Sequence, residues 1–254
     1  MNRIEKVAVI REALRSGNSS IGSWMQIPSP SVAEIMGQAG FDWVAVDLEH
    51  GSVDISQLPD LFRALELGGT LPLVRIAQGH PKDCKQALDA GAGGIIVPMV
   101  ESADQLKMVR NACRWPPAGS RGVGFSRANL FGKHFEAYSM EAQSPLLVAM
   151  IEDIKAVDSL EEILKVDGLD AILVGPYDLS ASMGIIAKFE DQRFIHAMMR
   201  IRELCKLFNV SFGMHVVAPQ AEVLKEKINE GYQFIAYSID SVFLNSICQN
   251  PVHK

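Results

Sequence analysis

A chain of 254 residues fits one large domain of the size common among α/β barrels, and its 48% hydrophobic content is ample for a core. The net charge of -6 and pI near 5.5, with no cluster of Lys and Arg, exclude a nucleic-acid surface built on phosphate binding. No apolar run approaches the ~18 residues of a membrane span, and Cys84, Cys113, Cys205 and Cys248 lack CxxC spacing, which speaks for reduced thiols and against a disulfide frame or structural zinc.

The chain opens on MNRIEKVAVIREALRSG, which alternates charged and apolar residues as an amphipathic helix does and lacks the apolar core of a signal peptide. A cytoplasmic protein is expected. The stretch GSWMQI, 22–27, reads as a first strand, and 28–31 as a turn capping a helix over 32–39. Strand two, 41–47, runs into DLEHG, and a helix follows over 55–67. Strand three, 71–76, carries Arg75 at its end; the next helix, 81–90, starts on a proline, as first turns favour. Strand four, 94–100, leads into a helix near 103–112.

From 114 to 144 the rhythm breaks into a segment rich in Gly, Pro and Arg with no clear period. A loop this long inside a compact domain is usually functional, so the expectation is a lid or an oligomer contact over a barrel mouth. Strands five, 147–151, and six, 171–174, are continuous apolar runs of the kind buried on both faces of a parallel sheet. The helical pattern AVDSLEEILKVDG between them makes the unit βαβ. A helix over 191–208, strand seven over 210–214, a helix over 220–230, strand eight over 234–238 and a helix over 241–248 complete the order. Eight strands alternating with eight helices predict a (β/α)8 TIM barrel, one domain across 1–254, with an N-terminal helix and a long loop between strands four and five. The rival doubly wound sheet loses its best support, because no GxGxxG marks the first strand–helix turn and GVGFSR does not qualify.

Active sites of such barrels lie at the C-terminal strand ends, which here supply Asp47 and His50, Arg75, Glu152, Asp178, His215 and Asp240. Glu152 and Asp178 leave the same edge of one βαβ unit, so two hard oxygen ligands face one mouth, as a divalent cation requires. Taken singly, either acid is equally a helix cap or a solvated loop residue. His50 has the chemistry for proton transfer near neutrality, and Arg75 can grip a carboxylate bidentately. His215 and Asp240 are read as structural or rim residues, and Trp24 as barrel packing or a pocket wall. His80, His134 and His196 receive no role. Every lysine falls on a helix, loop or terminus, which leaves no candidate for a Schiff base; an electron sink for carbanion chemistry must then be a metal ion.

The motifs GSWMQIPSP, AGFDWVAVDLEHG, LVRIA, IIVPMVESADQ, RWPPAGSRGVG, IEDIKAVDSLEEIL and GPYDLSASMG together resemble those of the class II pyruvate aldolases. These are the 4-hydroxy-2-oxoheptanedioate and 2-dehydro-3-deoxyglucarate aldolases of the phosphoenolpyruvate/pyruvate barrel superfamily, and the likeness covers nearly the whole chain. The resemblance implies reversible cleavage of a 4-hydroxy-2-oxo acid to pyruvate and an aldehyde, with Glu152 and Asp178 binding Mg2+, Mn2+ or Co2+. It further implies that Arg75 steadies the enolate oxygen, that His50 moves the proton and that Trp24 shapes the aldehyde pocket. Gly175 and Pro176 line the substrate beside Asp178. The family pairs its histidine with an aspartate matching Asp89; the strand map places Asp89 at the opposite edge and offers Asp47, and both stay open. The family also implies homo-hexamers built from dimers that exchange C-terminal helices, a contact for which the apolar 241–247 segment is suited.

Two departures bear on the substrate. Met150 stands where many members have a glutamine that contacts pyruvate, and Tyr177 stands where alanine is frequent; the segment after RGVG is also shorter. These leave room for a condensing enzyme of the same fold, joining oxaloacetate and an acyl-CoA, and for a catalytically silent barrel that serves as a binding subunit.

Overall fold

The computed structural model describes residues 2–250 and 252. Its centre is a closed barrel of eight parallel strands in sequence order: β1 (Ser20–Met25), β2 (Trp43–Asp47), β3 (Leu71–Arg75), β4 (Gly94–Val97), β5 (Leu146–Ile151), β6 (Ala171–Val174), β7 (Ser211–Val216) and β8 (Phe234–Ile239). The helix α1 (Arg3–Arg15) precedes β1, and α2 (Pro30–Gln38), α3 (Leu58–Leu67), α4 (Pro81–Ala90) and α5 (Ala103–Cys113) follow the first four strands. The second half carries α6 (Phe135–Glu141), α7 (Ile154–Asp158), α8 (Leu160–Leu164), α9 (Pro176–Ser182), α10 (Gln192–Phe208), α11 (Ala221–Asn229) and α12 (Asp240–Ile247). Among the described residues no helix is long and apolar enough to cross a membrane.

The strand runs are apolar throughout because both faces are covered. Outward residues such as Val44, Val46, Val74, Ile95, Val97, Ile172 and Val174 pack under the helices, while the alternate residues fill the interior. The interior closes by matching large side chains to small ones. Trp43 and Phe234 stack with ring centroids 4.2 Å apart, and Gly22 admits the indole, since a Cβ there would lie 2.0 Å from Trp43 Cδ2.

Helix starts follow local chemistry. Prolines open the first turns of α2, α3, α4 and α9, and the side chains of Ser102 and Asp191 cap α5 and α10 by accepting from Gln105 and Arg193 N–H groups. The single crossover helix expected between β5 and β6 is instead two helices, broken at Ser159.

The 114–144 segment is neither structureless nor a lid. It contains a 3₁₀ helix, Arg127–Gly132, and α6, and it packs at the edge opposite the mouth. Arg127 Nη1 donates to Ala90 O at the end of α4 (2.8 Å), Tyr138 Oη to Leu88 O (3.4 Å), and Arg3 of α1 to Glu141 (2.6 Å). Topology dictates this placement: the segment joins the end of a helix to the start of a strand, and both lie at the N-terminal edge of the barrel.

Gly22→Ala is expected to destabilise the fold by about 2–3 kcal/mol, because the added carbon meets a buried, stacked indole that has no room to retreat. Urea unfolding checks this, and an unchanged midpoint would mean that Trp43 is free to move aside.

Candidate functional site at the barrel mouth

Alternation along the strands decides what reaches the mouth. Inward positions run Trp43, Ala45, Asp47 on β2 and Leu71, Leu73, Arg75 on β3; the same phase puts Glu152 just past β5, Gly175 just past β6, His215 near the end of β7 and Ser238 on β8. An apolar interior therefore ends at its C-terminal edge in one ring of polar residues.

The ring is held by Asp47 and Arg75, paired side by side in the β2–β3 register. Arg75 Nε and Nη2 donate to the two Asp47 oxygens at 2.8 and 2.5 Å, the bidentate geometry suited to a guanidinium and a carboxylate. Asp47 also accepts from Gln26 Nε2 (2.9 Å) and from the backbone N–H groups of Glu49 (3.0 Å) and His50 (3.2 Å). Burial pushes its acidity weaker, but the Arg75 hydrogen bonds and charge, with those from Gln26 and Glu49, outweigh it and hold the carboxyl at about 2. Arg75 Nη1 lies 3.0 Å from Glu49 Oε2, a charge contact outside hydrogen-bond geometry, since that buried oxygen has no hydrogen-bond partner.

Glu152 is 3% exposed and has no ion-pair partner among the described residues. Its Oε2 accepts from Met99 N–H at 3.0 Å. Burial, reinforced by repulsion from Glu49 and Asp178, pushes it up to about 7 against that hydrogen bond and the Arg75 charge. Gly175 provides the cradle: a Cβ there would sit 2.5 Å from Glu152 Oε1. Asp178 lies in the first turn of α9, exposed, rather than directly at a strand end. A buried carboxylate without an ion-pair partner, within reach of the charge of a second, exposed one, fits the donor chemistry of a divalent cation site. Among the described residues no three His, Cys, Asp or Glu side chains group to hold a metal.

Trp24, 1% exposed, lies between two neighbours. Arg75 Cζ stands 5.1 Å from its ring centroid, and the His215 ring lies 5.0 Å away at 32°. Strand β7 extends two residues past the expected end, which places His215 within the strand. Its Nε2 is 3.1 Å from Ser238 O; burial, opposed by that bond and aided by Arg75, pulls it down to about 4. Asp240 is a latch, accepting from the N–H groups of Gln26, Ile27 and Ser241 at 2.9, 2.9 and 2.7 Å.

Several expected residues do not join the cluster as anticipated. His50 is exposed at the mouth; its link to Asp47 runs through its backbone N–H, because the Asp47 carboxylate is committed to Arg75. Asp89 is at the end of α4, at the opposite edge, where burial raises its pKa against the charges of Arg121 and Lys85. Neither aspartate orients the His50 side chain within one chain. Tyr177 is 54% exposed and meets Phe189 edge-on at 5.3 Å, whereas Met150 is buried in the interior below Glu152. Sequence reasoning missed Glu49 and Gln26, for which the only signal is their position two residues past an inward strand residue. A cavity of about 700 Å³ lined by Arg3, Arg63, Glu66, Arg127 and Glu141 lies at the N-terminal edge; Arg3–Glu141 and Arg127–Glu66 both meet at 2.6 Å, and Arg63 pairs with Asp60 outside it.

Residues 20–246 match the family model described as HpcH/HpaI aldolase/citrate lyase. The chain is 34% identical over 238 residues to a hydroxypyruvate/pyruvate aldolase of Roseobacter denitrificans, covering 92% of this chain and 91% of that one. It is 36% identical over 239 residues to a 2-keto-3-deoxy-L-rhamnonate aldolase of Shigella boydii, covering 91% and 87%. A crystal structure of an HpcH/HpaI aldolase/citrate lyase family protein from Burkholderia cenocepacia superposes with a TM-score of 0.87 at 30% identity, over 94% of this chain and 95% of that one.

Removing Asp47 leaves a buried guanidinium short of a partner, so Asp47→Asn is expected to cost about 3 kcal/mol or more. Because the folded carboxyl sits at about 2, below the ordinary value of ~3.9, its contribution is fully present above pH ~4 and is lost as pH falls toward 2. Urea midpoints of both proteins across that window check it: their difference should shrink in acid, and a difference that stays constant would refute the pairing.

Proposed function

The chain belongs to the HpcH/HpaI aldolase/citrate lyase family, and from that premise we propose that it is a metal-dependent pyruvate aldolase, a carbon–carbon lyase that reversibly cleaves a 4-hydroxy-2-oxo acid to pyruvate and an aldehyde. The carrying observation is Glu152, buried without an ion-pair partner, on the same mouth as an arginine held rigid by two carboxylates. Glu152 and Asp178 would hold Mg2+, Mn2+ or Co2+, which supplies, when bound, the Lewis acidity that polarises the 2-oxo group. Among the described residues no lysine is buried, which agrees with this class of chemistry rather than with a Schiff base.

The chain's own residues do the rest. Arg75 spends Nε and one proton on Nη2 on Asp47 and turns Nη1 toward Glu49; its remaining N–H protons are free to stabilise the oxyanion of the developing enolate without reorganising. His50, exposed at the rim on a backbone pinned by Asp47, takes the 4-hydroxyl proton as the C3–C4 bond breaks and returns it in the condensing direction. Trp24 walls the pocket beside Arg75, Met150 closes its floor, and the Gly175–Pro176–Tyr177 turn brings Asp178 to the rim.

Assembly belongs to the same reading. The helix α12 buries only Asp240 and exposes Leu244 and Ile247 at 55% and 80%; we propose that it covers a second copy in a homo-oligomer. Sedimentation is expected to show a species well above 27.8 kDa, and a monomer at all concentrations would refute it.

Arg75→Ala and His50→Ala are each expected to slow aldehyde addition to pyruvate by about a hundredfold or more. Excess EDTA is expected to abolish addition and the exchange of solvent deuterium into the pyruvate methyl group, with Mn2+ restoring both. Full turnover in EDTA would overturn the metal scheme.

A further inference from the structure

One polar group on the mouth has no place in that scheme. We infer that His215 is a specificity residue on the aldehyde side of the site, whose Nδ1 accepts a hydrogen bond from a hydroxyl group on the aldehyde-derived part of the substrate. The inference rests on the aldolase reading above and names the kind of aldehyde that reading leaves open.

Ser238 O is a carbonyl and can only accept, so the contact at 3.1 Å places the proton of the neutral imidazole on Nε2 and leaves Nδ1 as a bare lone pair. Burial and the nearby Arg75 keep the ring neutral. Nδ1 makes no hydrogen bond among the described residues, and His215 as a whole is only partly buried. Its position is inward and next to last on β7, so the accessible part of the ring opens on the mouth. Packing on Trp24, which carries Arg75 on its ring, brings the lone pair to the same opening as the guanidinium.

The backbone is bent to produce this arrangement. Pairing between β1 and β8 slips after Gly22↔Ala236 and resumes at Trp24↔Ile239, a bulge that leaves one residue extra on β8. Within it Ser238 is fully buried and has φ 56, a left-handed conformation that a non-glycine residue holds only where its surroundings enforce it. Its hydroxyl donates to Val217 O at 3.0 Å. This strained turn presents its carbonyl to His215 and so sets the tautomer.

A lone-pair acceptor selects its ligand by elimination. An alkyl aldehyde leaves it unpaired and desolvated, and an aldehyde bearing a carboxylate meets lone pair with lone pair. The cation nearest His215, Arg75, already faces two carboxylates. A hydroxyl group donates and fits.

The test compares addition of pyruvate to glycolaldehyde and to propionaldehyde, isosteres that differ by the hydroxyl. Wild type is expected to favour glycolaldehyde. His215→Phe keeps the ring on Trp24 and is expected to lose about tenfold in kcat/KM for glycolaldehyde, with propionaldehyde, the KM for pyruvate and pyruvate deuterium exchange each within about twofold. His215→Leu, which removes the acceptor as phenylalanine does, gives the same comparison should the phenylalanine variant not fold. Equal losses for both aldehydes would show a structural role, and an unchanged ratio would show no role; either overturns the inference. Absence of pyruvate exchange in wild type overturns the aldolase reading itself, a result separate from the aldehyde ratio.

Discussion

The mouth of this barrel depends on one buried ion pair. Asp47 and Arg75 end adjacent strands in register, and their bidentate contact takes two charges out of water at a place where only complete pairing makes that tolerable. The same carboxylate fastens the backbone of Glu49 and His50 and the side chain of Gln26. Gln26 in turn is tied through its N–H to Asp240, which joins β1 to the end of β8. The pair thus fixes the arginine, the loop bearing the histidine and the seam where the barrel closes.

Around that fixed point the carboxylates are arranged against their own preference. Glu152 is buried with no ion-pair partner among the described residues and with the charges of Glu49 and Asp178 acting on it against that of Arg75, an arrangement that costs stability. Glu49 shares in this, since burial, with the charges of Asp47 and Asp178, weakens its acidity while Arg75 and His50 oppose them. The fold carries this concentration of negative charge because the rest of the interior is stacked indole, phenyl and aliphatic carbon.

The opposite edge has a different design. There the 114–144 segment, α1 and the end of α4 meet through Arg3, Arg127, Glu66 and Glu141, each paired with an opposite charge. Charges that cancel in this way hold elements together and leave nothing over for a ligand.

The order of eight strands and helices was legible in the sequence because period is a local property: apolar runs bounded by turns identify strands covered on both faces. Strand ends then nominated Asp47, Arg75, Glu152 and Asp178, since in such a barrel every strand points its C-terminus at one edge. Three-dimensional packing decided the rest. That Asp47 serves Arg75 and not the imidazole of His50, that Asp89 lies at the far edge, and that the long segment is a foot rather than a lid all follow from which elements touch. Glu49 continues the inward phase of β2 only beyond the strand's end, and the His215–Ser238 contact made by a one-residue slip between β1 and β8 left no periodic trace. Hydrophobic period is written residue by residue along the chain, whereas partner choice among charges and the placement of a bulge depend on residues from different strands, 28 positions apart for Asp47 and Arg75, meeting in space.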